Sequence, residues 1–397
     1  MTATLPSGEL TSTSVLLPRP DGTLERYRLR QPRSWPSPVP PARSRVAFAA
    51  AHVVADPFSD TTAGAPATLD WDATLAFRRH LWSYGLAVAD AMDTAQRGMG
   101  LGWETAQELI RRSAAEARSC QGRVAVGVGT DHAAADLRTI AEVKAAYLEQ
   151  LEVAESAGAQ VILMGSRQLA RVARSTQDYL ELYRDLLSQV SEPAILHWLG
   201  PAFDPALTGY WGHDDLSAAS EVLLAVIQQN ADRIDGVKLS LLDAEREIWL
   251  RERVPDGVLV YTGDDFHYPE LIQGDQRGHS HALLGILDPI APVAAAALQR
   301  LDADDRDGYA NLLAPTVPLA RHLFSIPTWN YKTGIVFLAW LAGHQPGFSL
   351  VGGMASGRSL VHLAQTLRLA DQAGLLPDPD LAAERMGHLL AVQGITG

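Results

Sequence analysis

One lysine of this sequence lies where its amine could do covalent chemistry. Lys238 comes near the end of the run IDGVKL, residues 234–239, which has the composition of a buried parallel strand. Burial of an ammonium group disfavours its charged form, lowers its pKa and yields a nucleophilic amine near neutral pH. We therefore predict that Lys238 attacks a carbonyl carbon and forms a Schiff base. The alternative for this pattern is a solvated lysine at a strand end.

The stretches around Lys238 predict the fold that must position it. Runs that are apolar throughout are typical of parallel strands covered by helices on both faces. The sequence contains eight such runs, and helical stretches lie between them: strands at 46–51, 85–89, 123–128, 160–164, 194–198, 234–239, 258–262 and 281–287, and helices such as 73–82, 104–117, 140–157, 176–190 and 216–231. Eight strand-then-helix units over about 250 residues predict an α/β fold of the (β/α)8 type, a TIM barrel. A doubly wound sheet is the alternative.

Segments before and after these units predict two extensions of the barrel. Residues 13–17 and 24–29 flank Pro20-Asp21-Gly22, which is a β-hairpin signal, and a proline-rich connector follows. We expect this hairpin to cover one end of the barrel. The sequence after the eighth strand is mainly helical, at 293–301, 308–324, 333–341, 358–373 and 381–392. The predicted domains are residues 1–44 (hairpin and connector), 45–305 (barrel) and 306–397 (C-terminal helical extension).

Composition and charge narrow the classes of function. Apolar residues make up 47% of the 397 residues, but their longest runs are far shorter than a membrane span. A formal net charge of −13, without a basic stripe, argues against nucleic acid as a partner. The single cysteine, Cys120, and the lack of a signal-peptide pattern predict a soluble cytoplasmic protein.

Polar residues at the predicted strand ends form the candidate site, because (β/α)8 barrels carry their chemistry at the carboxyl ends of the strands. His197 ends an apolar run and is our candidate acid or base. Thr94 would orient His197 or bind a substrate oxygen. The candidate substrate-binding residues are Asp90, Asp93, His132, Asp264 and His267. A helix N-cap or an ordinary loop position is the alternative for these aspartates and histidines.

Two other kinds of function fit the same strand ends. A metal-dependent sugar aldolase or isomerase would need five side chains to converge on one cation: His52, Asp90, His132, His197 and Asp264. No HExxH or CxxC spacing selects that option, and we predict neither a metal nor a cofactor. The third interpretation is a barrel that binds a ligand without catalysing a reaction.

With the strand ends placed, the sequence resembles the dihydrodipicolinate synthase and N-acetylneuraminate lyase superfamily of class I aldolases. The resemblance runs in order over most of residues 46–345, in a divergent form. The matching segments are RVAVGVG (123–129), AESAGAQVILM (154–164), EPAIL (192–196), GVK (236–238), GDD (263–265) and NYKT (330–333).

The resemblance implies a barrel whose Schiff-base lysine is Lys238 and whose chains form a homodimer or homotetramer. The proton-shuttling tyrosine of the superfamily falls on His197, whose imidazole can also move protons near neutral pH. The carboxylate-binding loop falls on residues 92–96, where Thr94 matches and Asp93 would repel an anion. We therefore predict a Schiff-base aldolase, lyase or dehydratase that acts on a keto acid or a sugar-derived carbonyl compound. The many polar strand ends favour a polyhydroxylated substrate.

Overall fold

The structure, a computed structural model, describes residues 9–396. Its strands are β1 (Leu10–Pro18), β2 (Leu24–Arg30), β3 (Ala47–Ala50), β4 (Ala87–Asp90), β5 (Val124–Val128), β6 (Gln160–Met164), β7 (Ala194–Leu199), β8 (Ile234–Ser240), β9 (Leu259–Thr262) and β10 (His281–Leu284). Strands β3 to β10 are parallel; each pairs with the next, and β10 pairs with β3 to close a barrel. The predicted (β/α)8 barrel is confirmed.

Helices follow the barrel strands and continue beyond β10. The α-helices are α1 (Trp71–Ser83), α2 (Trp103–Cys120), α3 (Ile140–Ala157), α4 (Arg167–Val172), α5 (Thr176–Leu187), α6 (Leu216–Gln229), α7 (Ala244–Arg251), α8 (Tyr268–Gln273), α9 (Ala291–Asp302), α10 (Arg306–Leu313), α11 (Thr316–Leu323), α12 (Tyr331–Leu341), α13 (Leu360–Gln372) and α14 (Pro379–Val392). None of those helices is both long and apolar enough to cross a bilayer within the described residues.

One predicted helix is two helices in the structure. The stretch 308–324 was expected to be continuous, but α10 ends at Leu313 and α11 begins at Thr316. Ala314 and Pro315 both keep right-handed helical backbone angles, but Pro315 has no backbone N–H to donate. The ladder of helical hydrogen bonds is therefore interrupted between the two helices.

The N-terminal hairpin, β1 and β2, packs against α13 and α14 of the C-terminal extension. Leu17 and Leu29 are fully buried there. The hydroxyl of Tyr27 donates a hydrogen bond to Asp371 Oδ2 at 2.7 Å, and Arg368 donates to the carbonyl oxygen of Pro18 at 3.2 Å. A two-stranded hairpin has little core of its own, so it needs such a partner. We expected the hairpin to cover one end of the barrel, but in the structure it packs against these two C-terminal helices.

The barrel is filled by side chains that alternate along its strands, because successive residues of a strand point to opposite faces. The interior cluster includes Phe48 on β3, Ala89 on β4, Ile195 on β7 and Tyr261 on β9. This alternation turns His197 on β7 and its neighbour Lys238 on β8 toward the interior. It turns Asp90 on β4 outward, toward the surrounding helices.

Candidate active site

Lys238 is buried at the carboxyl end of the barrel beside His197. The two residues are partners in the register of β7 and β8, and Lys238 is 6% exposed. Burial lowers the pKa of the Lys238 amine, and the negative charges of Asp93 and Asp265 oppose that shift only in part. Lys238 forms no ion pair with a carboxylate in the described part of the chain. Burial thus shifts the amine toward its neutral form, which is the form that the predicted nucleophile requires.

Gly263 leaves the space that the Lys238 side chain occupies. A Cβ at this position would lie 2.9 Å from Lys238 Cε and 2.6 Å from the carbonyl oxygen of Leu239. The backbone N–H of Gly263 donates to that same carbonyl oxygen at 2.7 Å. The loop after β9 thus crosses Lys238 at a distance that excludes any larger residue. This close approach brings Asp265 next to the amine.

Asp265 is the carboxylate that the sequence analysis missed. It is 3% exposed, and its Oδ1 accepts a hydrogen bond from the N–H of Ile286 at 2.9 Å. Burial raises the pKa of Asp265 to about 7, although that hydrogen bond and the charge of Lys238 act in the opposite direction. Asp265 can therefore hold or release a proton near neutral pH, which suits an acid catalyst.

Asp264 and His267, both predicted to bind substrate, are hydrogen-bonded to each other. Asp264 Oδ2 lies 2.9 Å from His267 Nδ1, and Asp264 Oδ1 accepts from the N–H groups of Phe266 and His267. Asp264 thus organises the turn after β9. The sequence indicated this turn but gave no sign of which of the two consecutive aspartates faces the amine.

His197 is buried with one ring nitrogen free. Its Nε2 lies 3.2 Å from Ser240 Oγ, whereas its Nδ1 has no hydrogen-bond partner among residues 9–396. Burial lowers the pKa of His197 well below its ordinary value, and the charge of Lys238 lowers it further. The imidazole is therefore neutral at physiological pH and can accept a hydrogen bond or a proton at Nδ1.

A cavity of about 560 Å³ opens at the carboxyl end of the barrel beside His197 and Asp93. Its wall also contains the hydroxyls of Thr130 and Ser166, whose oxygen atoms are 2.6 Å apart. The volume is typical of sites for small molecules. The wall as described does not include Lys238, which lies next to its residues His197 and Asp93. A carbonyl compound in this cavity would have to reach the amine past those two side chains.

Arg97, in the wall of this cavity, is fully engaged by protein groups. It donates to Asp131 Oδ2 and to Gln150 Oε1, each at 2.9 Å, and to the carbonyl oxygens of Ala91 and Gly127, each at 3.2 Å. Burial alone would raise the pKa of Asp131, but the charge and hydrogen bonds of Arg97 hold it below its usual range. Arg97 therefore ties the loop after β4 to the loop after β5 and has no free donor for an anion.

The C-terminal extension contributes two residues of α12 to the site, and neither was predicted. The hydroxyl of Tyr331 lies 2.9 Å from Thr94 Oγ1, and both residues are buried. Lys332 Nζ donates to the carbonyl oxygen of Trp329 at 3.2 Å. Burial lowers the pKa of Lys332 to about 8, and the charge of Asp93 opposes that shift. The charge of Asp93 therefore acts on two buried amines, those of Lys238 and Lys332.

Lysine is rare in this chain, and its placement is selective. Lys144, Lys238 and Lys332 are the three lysines among 33 basic residues. Lys144 is partly exposed on α3, where it pairs with Asp185 at 2.8 Å, whereas the other two are buried. Arginine cannot be deprotonated in proteins and cannot form a Schiff base, so it cannot replace these amines. This scarcity is the signal from which Lys332 could have been found.

Two residues that were predicted to contact the substrate are hydrogen-bonded to other side chains in the structure. Asp90 points out of the barrel, and its two oxygens bind Arg78 of α1 at 2.8 and 3.0 Å, with both side chains fully buried. His132 contacts Glu149 at 3.1 Å and Gln150 at 2.8 Å, both on α3. These geometries run contrary to the substrate contacts predicted for Asp90 and His132, because their polar atoms already have partners.

The five side chains considered as metal ligands do not converge. His52 Nδ1 lies 2.8 Å from Asp288 Oδ2, Asp90 is held by Arg78, and His132 is held on α3. Within residues 9–396 no three His, Cys, Asp or Glu side chains are grouped so that they could hold a metal ion.

Eight parallel strands that close into a barrel, with helices between them, define the class of this protein as a (β/α)8 barrel. The chain belongs to the family described as Protein of unknown function (DUF993), whose model matches residues 15–395. No curated protein matches the sequence.

Solved structures of the dihydrodipicolinate synthase family share this fold. A putative dihydrodipicolinate synthetase from Pseudomonas aeruginosa is 17% identical, with a TM-score of 0.63 over 83% of this chain and 99% of its own. YagE, a prophage protein of that family from E. coli K12 in complex with pyruvate, is 16% identical, with a TM-score of 0.65 over 84% and 100%. Dihydrodipicolinate synthase from Thermotoga maritima is 14% identical, with a TM-score of 0.62 over 84% and 100%. The predicted resemblance is confirmed for the fold.

Proposed function

We propose that this protein is a class I aldolase, lyase or dehydratase in which Lys238 forms a Schiff base with a small carbonyl compound. The observation that carries the proposal is a buried amine of lowered pKa, without an ion pair, beside a cavity of suitable size. The shared fold supports it, because one protein of that fold binds pyruvate, a keto acid. A keto acid or a sugar-derived carbonyl compound is the proposed substrate class.

The first chemical step would be addition of the neutral Lys238 amine to the carbonyl carbon, which gives a carbinolamine. The hydroxyl of that intermediate must leave as water, and its departure requires one proton. Asp265, with a pKa of about 7, would supply that proton and remain as a carboxylate beside the iminium cation. Lys238 and Asp265 therefore begin as two neutral groups and end as an ion pair, which stabilises the positive charge that develops on the iminium.

The second step would use the iminium as an electron sink. Cleavage of the adjacent C–C bond, or loss of a proton and a hydroxyl, needs a base that accepts a proton from the substrate. His197 is our candidate for this role, because it belongs to the wall of the cavity and its imidazole is neutral, with a buried Nδ1 that has no partner in the described structure. The hydroxyls of Thr94 and Tyr331 would bind a substrate oxygen, and Asp93 would accept hydrogen bonds from substrate hydroxyls.

Borohydride trapping tests this proposal. The protein is incubated with pyruvate or with a sugar-derived 2-keto-3-deoxy acid, reduced, digested and analysed by mass spectrometry. We expect an adduct on the peptide that contains Lys238, none in Lys238→Ala, and an unchanged yield in the matched control Lys144→Ala. Because Lys332 is a second buried amine, Lys332→Ala is tested in parallel. Adduct formation that survives in Lys238→Ala overturns the assignment of the nucleophile.

A second candidate function is ligand binding without catalysis. The observation that favours it is the cavity wall, which includes His197 and Asp93 but not Lys238. A ligand could then occupy the cavity without touching the amine. This candidate predicts saturable heat of binding by calorimetry together with no adduct and no turnover, whereas the Schiff-base proposal predicts all three signals.

We further propose that the protein acts in the cytoplasm as a homodimer or homotetramer. A formal charge of −13 and one cysteine fit that setting. Sedimentation equilibrium of the whole chain tests the assembly, and a monomer at micromolar concentration would contradict it.

A further inference from the structure

Two charged side chains in the wall of the cavity at the barrel end have no partner of opposite charge. Arginines and aspartates occur in equal number in that wall: Arg97, Arg167, Arg171, Asp93, Asp131 and Asp204. Arg97 pairs with Asp131, and Arg167 Nε donates to Asp204 Oδ2 at 2.6 Å. Within residues 9–396 neither Asp93 nor Arg171 forms an ion pair. The pairing therefore leaves one negative and one positive charge in the wall.

These two unpaired charges lie in different parts of the wall. Asp93 follows β4, and its charge acts on the buried amine of Lys238. Arg171 belongs to α4, which follows β6, and its exposure places its charge on the solvent side of the cavity. The cavity is therefore negative beside the amine and positive on its outer wall. A ligand that complements both parts carries hydroxyl groups at one end and an anion at the other.

Helix α4 is held firmly, so its arginines have a fixed place. Ser166 Oγ accepts from the N–H of Leu169 at 2.9 Å, and Leu169 is fully buried. Gln168 Nε2 donates to the carbonyl oxygen of Thr130 at 3.0 Å, and Thr130 Oγ1 donates to Gln168 Oε1 at 2.8 Å. Arg167 and Arg171 are four residues apart, so they are neighbours on one face of the helix.

Both arginines of α4 keep N–H donors for a ligand. Arg171 uses Nη2 for the carbonyl oxygen of Leu137 at 2.8 Å, and Arg167 uses Nε for its ion pair. The terminal nitrogens of Arg167 have no hydrogen-bond partner in the described part of the chain. Burial is the main cause of the low pKa of Lys332, and the charge of Arg167 contributes, so α4 is within electrostatic reach of the site. Guanidinium donors match the oxygens of carboxylate and phosphate groups.

We propose that this cavity selects a hydroxylated carbonyl compound whose anionic group, a carboxylate or a phosphate, is remote from the carbonyl carbon and binds Arg171 and Arg167. Asp93 accepts hydrogen bonds from hydroxyls near the carbonyl and repels a carboxylate attached directly to it. The inference rests on the proposed function for the orientation of the substrate, because Lys238 defines the end at which the carbonyl lies.

The test compares four six-carbon ketones by calorimetry: 5-keto-gluconate (remote carboxylate), fructose 6-phosphate (remote phosphate), 2-keto-gluconate (carboxylate next to the carbonyl) and fructose (uncharged). They are titrated into the full-length protein and into Lys238→Ala, in which no Schiff base forms at that position. In both proteins we expect the remote anions to bind about five- to tenfold more tightly than the other two, between the value of an exposed ion pair and that of a buried charged hydrogen bond. The tighter of the two remote anions identifies the group. Equal affinities, tightest binding of 2-keto-gluconate, or no saturable binding overturns the inference.

Variants locate the anion. Arg171→Gln should remove the preference for remote anions and leave the affinity for fructose unchanged. The matched control is Arg174→Gln, which removes the same charge from an exposed position outside the cavity and should keep the preference. Asp93→Asn should strengthen the binding of 2-keto-gluconate. An unchanged preference in Arg171→Gln refutes the site.

The two proposals can fail separately. An adduct of pyruvate on Lys238 without any preference for remote anions refutes this inference and leaves the proposed function standing. A preference that is lost in Arg171→Gln, together with no adduct from any of these ketones or from pyruvate, refutes the Schiff base and leaves the anion-binding arginines.

Discussion

Lys238 and His197 stand opposite each other on adjacent parallel strands, and both side chains point into the barrel. A charge on either one raises the cost of a charge on the other, and the charge of Lys238 is one reason why the pKa of His197 is low. The imidazole of His197 is therefore neutral, and burial shifts the Lys238 amine toward its neutral form. A base requires the first of these forms and a nucleophile the second.

The pH dependence of adduct formation should report Asp265. Its pKa of about 7 means that the carboxyl is protonated below pH 7 and loses its proton as the pH rises. We expect the trapping rate with pyruvate to fall above about pH 7 by up to tenfold per pH unit, because the acid that removes water is lost. In Asp265→Asn the rate should be lower at every pH, and this alkaline limb should disappear. If the trapping rate of Asp265→Asn still falls above about pH 7, the group that titrates there is not Asp265.

Replacement of Lys332 by methionine should stabilise the fold at neutral pH. The pKa of Lys332 is about 8 in the folded chain against 10.5 for an ordinary lysine. Between about pH 8 and pH 10.5 the unfolded chain binds more protons than the folded chain, so the stability of the wild-type protein rises with pH over that range. Below about pH 8 the buried Lys332 destabilises the fold to its full extent. We expect Lys332→Met to raise the free energy of unfolding by about 1–3 kcal/mol at pH 7. Urea denaturation at pH 7 and pH 10 measures it; an equal gain at both would refute the desolvation argument.

A methyl group at Gly263 should displace the nucleophile. Its Cβ would lie 2.9 Å from Lys238 Cε and 2.6 Å from a backbone oxygen that cannot move freely. We expect Gly263→Ala to lower the free energy of unfolding by about 1–3 kcal/mol and the trapping rate by about tenfold or more. The control is Gly387→Ala on α14, where a Cβ would meet nothing within 4 Å. That change should add about 0.5–1 kcal/mol of stability and leave trapping unchanged.

The hydrogen bond between Thr94 and Tyr331 should couple the barrel to its C-terminal extension. Thr94→Val leaves the buried Tyr331 hydroxyl without its partner, at a cost of about 1–3 kcal/mol. Tyr331→Phe should cost a similar amount, and the double variant should cost much less than the sum of the two, as a double-mutant cycle would show. Strict additivity would mean that the two hydroxyls do not interact. Slower trapping in both variants would add a role in substrate binding.

The ion pair of Asp90 with Arg78 should matter for stability and not for the reaction. Asp90→Asn leaves a fully buried guanidinium without its counter-charge, so we expect a loss of about 3–5 kcal/mol. The comparison is Asp185→Asn, which removes a partly exposed pair with Lys144 and should cost less than about 1 kcal/mol. The folded fraction of Asp90→Asn should form the Lys238 adduct at the wild-type rate. A large fall in that rate would restore Asp90 to the site.

The barrel could be predicted because its signals are local. Strand β6 and helix α3 have the predicted bounds, since an apolar run and a capping box at Thr139 mark them in the sequence itself. Pro315, in the middle of the predicted helix 308–324, is the residue that marks the break between α10 and α11 in the sequence. The packing partner of the N-terminal hairpin could not be predicted from local sequence, because the contact residues Tyr27 and Asp371 are 344 residues apart.

The site was predictable where burial alone decides the chemistry. Lys238 stood out because an amine on an apolar strand is costly whatever surrounds it. Asp90 was misplaced although the alternation of β4 gives its outward direction, since Ala89 fills the interior. The contact of Thr94 with Tyr331 spans 237 residues, and no local pattern encodes it. Asp265 rather than Asp264 faces the amine because of a turn geometry that the sequence does not specify.

Helix α12 is buried along its whole length, from Tyr331 to Leu341. For anyone redesigning this protein, the barrel therefore cannot be treated as a module that ends with β10. A chain cut after residue 305 would lose the α12 wall of a cavity of about 400 Å³ beside α1 and would uncover the surfaces against which the eleven buried residues of α12 pack. Chimeras that exchange active-site loops with other barrels will need to carry α12 along, so the smallest transferable unit extends past residue 341.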